Sequence, residues 1–282
     1  MILELEVAIA AARAGAAELT AARAGDLRID YKDARANLVT DADRRSQQAI
    51  TDVILGAFPS GHAIDGEEGT AGDPDAEHVW YVDPLDGTTN YAHGIPFFCV
   101  SIALRTGGDT TAGVVYDPVH DEMFAAARQQ GATCNGEALR VSGVTRLDRA
   151  LVVAQAQSVD AAEIRAYAGL VERLMNAAGG VRSLGSPALT LCAIAAGRLE
   201  AYAEHAMDAW DIAAGQLILE ESGGTLTTFD GSPHRSADRA DVVASNGRIH
   251  QKLLIVLKGS APKGSAPKGS APKGSAPKGD GS

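Results

Sequence analysis

The chain is 282 residues long, 45% hydrophobic and 22% charged, proportions of an ordinary folded protein with room for one large domain or two packed ones. Its apolar stretches are short and broken by Gly, Asp or Arg, so none approaches the roughly 20 residues of a membrane-spanning helix. The net charge of −11 is uneven: residues 258 to 282 carry five lysines and one aspartate, leaving 20 basic against 35 acidic residues, or −15, in the rest. A body that acidic repels nucleic-acid phosphates and suits cations.

The N-terminal MILELEVAIAAARAGAAELT has Glu4 and Glu6 where a secretory signal places basic residues, so the segment reads as part of the fold and the protein as cytoplasmic. Spaced Leu, Val and Ile predict a first helix from Ile2 to about Arg23, ending near Gly25. A polar loop follows, and Thr40 begins a second helix that the turn at Phe58-Pro59-Ser60-Gly61 stops. Residues 79 to 130 then change period: VWYVD, PFFCVSIALR, TAGVVYD and EMFAAARQ are short β-rich runs between turns, predicting a meander of antiparallel strands packed on the two helices.

After about residue 145, strands and helices alternate, as in LVVAQ, AAEIRAYAGLVERLMNAA, LEAYAE and AWDIAAGQLILEES. That is an α/β second half. The reading divides the chain into an α+β half over 1–145, an α/β half over 146–257 and a repeat tail over 258–282. The tail repeats Lys, Gly, Ser, Ala and Pro with nothing to fill a core, and is read as a solvated extension outside the fold. Cys99, Cys134 and Cys192 are odd in number and far apart, so they suggest buried small hydrophobes rather than disulfides or a thiolate zinc site.

The informative chemistry is acidic. Asp65-Gly-Glu67-Glu68 precedes Trp80-Tyr-Val-Asp83-Pro-Leu85-Asp86-Gly87-Thr88-Thr89-Asn90. Valine and aromatics ahead of Asp83 make a strand that Pro84 is expected to end. Two aspartates on the turn beyond it aim at one point, and Gly-Thr-Thr offers backbone N–H groups where a helical turn begins. Hard carboxylate oxygens beside such donors suit a magnesium-bridged phosphate. Asp211, in Trp210-Asp211-Ile-Ala-Ala-Gly215, falls in the first turn of a helix that Asp208 caps, and Asp43 lies three residues after Thr40; both also read as capping carboxylates. There is no Gly-x-Ser-x-Gly elbow or P-loop, so neither a serine nucleophile of that type nor a nucleotide-hydrolysing loop is indicated.

These two motifs, with His93, Pro96 and Glu221-Ser-Gly-Gly224, resemble the signatures of the inositol monophosphatase family over residues 1 to about 257. The resemblance implies an αβαβα layered sandwich, antiparallel sheet in the first half and mixed sheet in the second. It also implies a lithium-sensitive phosphomonoesterase dependent on two or three Mg²⁺, working as a homodimer on a small phosphorylated polyol or sugar, without nucleic acid or membrane. By motif position, Glu67, Asp83 and the Leu85 carbonyl resemble ligands of one Mg²⁺, and Asp83, Asp86 and Asp211 those of a second. Thr88, Asp43 and Glu67 match the groups that prepare the attacking water. Gly87 and Thr88 N–H groups match the phosphate cradle, and Lys32 matches a lysine on a mobile loop.

Asp86, Glu204 and Ser186 correspond to substrate contacts, with Glu204 binding hydroxyls. Pro187 departs from the family pattern because it has no N–H to give. Inositol monophosphate is the favoured substrate. Fructose-1,6-bisphosphate, histidinol phosphate and 3′-phosphoadenosine 5′-phosphate are the alternatives on this scaffold, and a transcription-associated interaction protein is the alternative of a different class.

Overall fold

The computed structural model describes residues 3–23, 29–31, 38–156, 160–235 and 239–258. Lys32 and residues 259–282 of the repeat tail lie outside them. The first half runs α1 (Leu3–Arg23), β1 (Ile29–Tyr31), β2 (Leu38–Thr40), α2 (Asp41–Ala57), β3 (His62–Gly66), β4 (Gly69–Gly72), β5 (His78–Asp86), α3 (Thr88–Ala92), β6 (Cys99–Thr106), β7 (Asp109–Asp117), β8 (Glu122–Ala127), β9 (Ala132–Cys134) and β10 (Glu137–Ala138). The second half runs β11 (Leu151–Ala154), α4 (Ala161–Ala177), β12 (Gly180–Arg182), α5 (Pro187–Ala195), β13 (Ala201–Met207), α6 (Ala209–Glu221), β14 (Thr225–Thr227), β15 (Ala240–Ser245) and α7 (His250–Leu257). Among the described residues, no helix is long and apolar enough to cross a membrane.

Two sheets organise the molecule. The larger has the order β10-β9-β8-β7-β6-β5-β3-β4. It is antiparallel except where β3 runs parallel to β5. The smaller has the order β12-β11-β13-β15-β14, with β11 parallel to β12 and β13, and β15 antiparallel to β13 and β14. The expected meander over 79 to 130 is therefore the middle of a wider sheet. The hairpin of β3 and β4 escaped the sequence reading because its strands are short and rich in glycine, which breaks the β-pattern.

Alternation along the strands sets the layers. Trp80, Val82, Val100, Ile102 and Leu104 of the large sheet pack on α1 and α2 through Leu19, Ile50 and Ile54. Tyr81, Cys99, Ala103 and Val115 face the other way, onto α5 and α6, where Leu191, Ile212 and Leu217 also meet Val153, Tyr202 and Val242 of the small sheet. The outer face of that sheet, through Val152, Ala201 and Val243, is closed by Leu170 and Leu174 of α4 and Leu253 and Leu254 of α7. The order is helix, sheet, helix, sheet, helix. The middle helix α6 is apolar almost all round because both flanks are covered, and its N-terminus meets the end of β5.

Candidate active site

Pro84 does not end β5. The strand continues to Asp86 through a register shift: Asp83 pairs with Ser101 and Asp86 with Cys99, so three steps on β5 answer two on β6. Residues three apart on a regular strand face opposite sides, whereas one extra residue returns the second to the side of the first. Ser101 and Cys99 lie two apart on one face of β6, and Asp83 and Asp86 are accordingly both turned toward the α5–α6 layer. The Ser46 hydroxyl on α2 donates to the Pro84 carbonyl at 2.9 Å, tying down the bulge from behind.

Gly87 follows with φ 95° and ψ 37° and starts α3. A Cβ there would meet the Phe97 carbonyl oxygen at 3.0 Å, so both the left-handed backbone and the close approach require glycine. Thr88 is thereby placed with its hydroxyl 3.0 Å from the Leu85 carbonyl, its acceptor, and 3.4 Å from Asp43 Oδ1. Asn90 fixes the other side of α3 by donating to the carbonyls of Phe97 at 2.8 Å and Leu184 at 2.7 Å.

Glu67 is carried on the turn between β3 and β4, where its own N–H donates to the Val82 carbonyl at 3.0 Å. Gln47 of α2 grips that turn at both ends. Its Oε1 accepts from Glu68 N at 2.9 Å and its Nε2 donates to the Gly69 carbonyl at 2.9 Å. From the second half of the chain, the Ser101 hydroxyl donates to the Trp210 carbonyl at 3.1 Å and seats the start of α6 on the large sheet. Asp211 Oδ2 accepts from Asp208 N at 3.1 Å, the capping role its position suggested.

Asp86 is held hardest. Its Oδ2 accepts from the Ser186 hydroxyl at 2.6 Å, from Ala188 N at 2.7 Å and, more weakly, from the Cys99 thiol at 3.6 Å. Ser186, matched to a substrate contact by motif, is fully buried and spends its hydroxyl on Asp86. Pro187 lacks an N–H, and Ala188 supplies the helix-end donor instead. Glu204, 2% exposed, accepts at Oε2 from the Tyr202 hydroxyl.

The carboxylates share one electrostatic field. Asp83 is 2% exposed; burial pushes its pKa well up, and Glu67, Asp86 and Asp211 push it further, against the Leu85 N–H. Asp86 rises to about 7 by burial, although the hydrogen bonds from Ser186, Ala188 and Cys99 oppose that. Asp211 rises through burial and then through Asp86. Each of the groups raising these pKa values is another acid. Such an arrangement is stable as a set of anions only beside compensating positive charge.

Hard oxygen donors, all carboxylate or carbonyl, fit Mg²⁺ by chemistry. As they stand, no three His, Cys, Asp or Glu side chains among the described residues close on one point as a finished cage, so the fit is one of donor type and charge. Sequence reasoning missed Ser46, Gln47, Asn90 and Ser101, which position the acids. Only the burial of polar side chains on α2, α3 and β6 reveals what they do.

Residues 3–260 match the sequence pattern of the inositol monophosphatase family. The chain belongs to that family. It is 37% identical over 268 residues to the Nus factor SuhB of Pseudomonas aeruginosa, covering 92% of this chain and 97% of that one. It is 38% identical over 255 residues to the inositol-1-monophosphatase of Synechocystis, covering 88% and 86%. An IMPase/NADP phosphatase solved with Mg²⁺ and phosphate superposes with a TM-score of 0.74 at 28% identity, over 83% of this chain and 87% of that one. This inositol monophosphatase family member thus has relatives named both for the phosphatase and for the Nus factor.

Proposed function

We propose that the protein hydrolyses a small phosphomonoester with Mg²⁺, inositol monophosphate first among polyol phosphates. The observation that carries this reading is the bulge of β5, which turns the buried Asp83 and Asp86 to one side, toward the start of α6 and Asp211, close enough that Asp86 and Asp211 raise the pKa of Asp83, and Asp86 that of Asp211. Glu67, Asp83 and the Leu85 carbonyl would hold one ion, and Asp83, Asp86 and Asp211 a second. When bound, Mg²⁺ supplies charge neutralisation on the ester and acidification of water.

The chain's own groups do the rest. Thr88 shifts its proton from the Leu85 carbonyl toward Asp43 and so presents a lone pair to the attacking water, while Glu67 accepts that water's proton. Gly87 and Thr88 N–H groups hold phosphate oxygens as charge grows on them. Glu204 and Asp86 accept hydrogen bonds from the polyol hydroxyls. With Oδ2 of Asp86 committed to Ser186 and Ala188, its other oxygen, Oδ1, is the one that would face metal or substrate.

The test is phosphate release from inositol monophosphate, fructose-1,6-bisphosphate, histidinol phosphate and 3′-phosphoadenosine 5′-phosphate across an Mg²⁺ titration, with and without Li⁺. The reading expects Mg²⁺-dependent, Li⁺-inhibited release that is fastest with inositol monophosphate. No release from any ester refutes it. A second reading, an interaction protein of transcription, is supported by the likeness to the Nus factor SuhB. Copurification with RNA polymerase, undiminished by Asp83→Asn, would favour it.

A further inference from the structure

Gln155 has no part in the reading above, yet its amide is buried between two pieces of the proposed site. It directly follows β11, and since Ala154 is the parallel partner of Ala203, Gln155 comes level with Glu204 on β13. It is 3% exposed. Its Oε1 accepts from Gly185 N at 2.8 Å, at the turn ahead of α5. A backbone N–H only donates, so the atom opposite it is the amide oxygen, and the orientation of the amide follows.

Nε2 therefore points away from Gly185. It has under 1 Å² of exposed surface and closes no hydrogen bond of ordinary geometry among the described residues. Buried donors are rarely left in that state without a reason. Strand register sets Gln155 beside Glu204, whose pKa burial raises while the Tyr202 hydroxyl and the Gln155 amide draw it toward the charged form. Sealed from solvent, Nε2 is not exposed to a ligand in the cleft.

We propose that Gln155 is a positioning residue for polyol recognition: one end of its amide pins Gly185 ahead of α5, and the other steers the Glu204 carboxylate toward substrate hydroxyls. The inference rests on the phosphatase reading and adds the device that keeps Glu204 in register with Asp86. The link is short: Gly185 immediately precedes Ser186, which together with Ala188 holds Asp86. One side chain thus spaces the hydroxyl-binding acid from the acid shared with the metal.

The experiment compares two esters at saturating Mg²⁺: inositol monophosphate, which offers hydroxyls to Glu204, and phenyl phosphate, which offers none. In Gln155→Met, KM for inositol monophosphate rises about five-fold while kcat and all phenyl phosphate parameters stay within about two-fold. In Glu204→Gln the same KM rises, and adding Gln155→Met to it raises KM no further, because residues acting through one another are not additive. Gln155→Asn keeps an amide too short to span Gly185 and Glu204, repeats the KM effect, and decides the matter if the Met variant fails to fold.

Additive effects in the double variant, a parallel loss of kcat for both esters, or an unchanged KM overturns the inference. Wild-type protein that hydrolyses neither ester refutes the phosphatase reading and this inference with it. Turnover of phenyl phosphate alone leaves the phosphatase reading standing and removes polyol recognition by Glu204 and Gln155.

Discussion

The Thr88 hydroxyl lies 3.4 Å from Asp43 Oδ1, joining two residues 45 positions apart. The nearer acceptor is the Leu85 carbonyl at 3.0 Å, and a hydroxyl has one proton to give. Turning that proton to Asp43 frees a lone pair on Thr88 for water. Asp43→Asn puts a donor or a weaker acceptor in the relay, and Thr88→Ala removes its centre. Each variant is expected to lower kcat by about 100-fold, with the Mg²⁺ concentration for half-activity unchanged within about two-fold. Steady-state phosphate release checks both quantities.

Without metal, the acids oppose folding. Asp83 is buried and raised by Glu67, Asp86 and Asp211, so removing its charge relieves repulsion. Asp83→Asn is expected to melt about 2–4 °C above the wild type in EDTA, the shift that about 1 kcal/mol produces in a protein of this size. Added Mg²⁺ raises the wild-type melting temperature by linkage and moves the variant much less. Scanning calorimetry with and without Mg²⁺ measures both shifts.

Glu204 gives the metal-free protein a pH dependence of known sign. Burial lifts its pKa from 4.5 to about 7, so the folded state keeps a proton that the unfolded chain has already released. Its contribution to stability is intact below about pH 4.5, declines as pH rises, and is lost once pH passes about 7. The melting temperature in EDTA should therefore fall across that window, and fall less steeply in Glu204→Gln. Asp83, Asp86 and Asp211 shift in the same direction, so the slope is reduced rather than abolished. An equal slope in both proteins would show that Glu204 ionises normally.

Much of this site was legible because acids this concentrated have few structural uses. Asp83, Asp86 and Asp211 stood out in sequence as hard donors near turns and helix starts, and the structure brings them into one field. What the residues did not reveal was how β5 continues through Pro84. A proline reads locally as a strand end, and only the pairing of Asp83 with Ser101 and Asp86 with Cys99 shows the extra residue that turns both acids the same way. Ser186 likewise reads as a helix start or a substrate contact. That its hydroxyl goes to Asp86, 100 positions away, is tertiary information. The layer order emerged from side-chain packing, since alternation tells that a strand has two faces but not what covers each.

Gly87 links β5, which carries the proposed metal ligands, to the turn proposed to hold phosphate, and its φ of 95° is one that L side chains rarely adopt. Gly87→Ala adds a Cβ 3.0 Å from the Phe97 carbonyl oxygen. The variant is expected to lose at least about 1 kcal/mol of stability and to misplace Thr88. Urea unfolding reads the first effect, and a fall in kcat beyond that of a melting control reads the second.

The most direct measurement is the rate of phosphate release from inositol monophosphate at saturating Mg²⁺ by the wild type and by Asp83→Asn. If Asp83 bridges the catalytic ions, the wild type is active only with Mg²⁺ and the variant is slower by at least about 100-fold. Equal rates in the two proteins, or release by the wild type that persists in EDTA, would contradict the account.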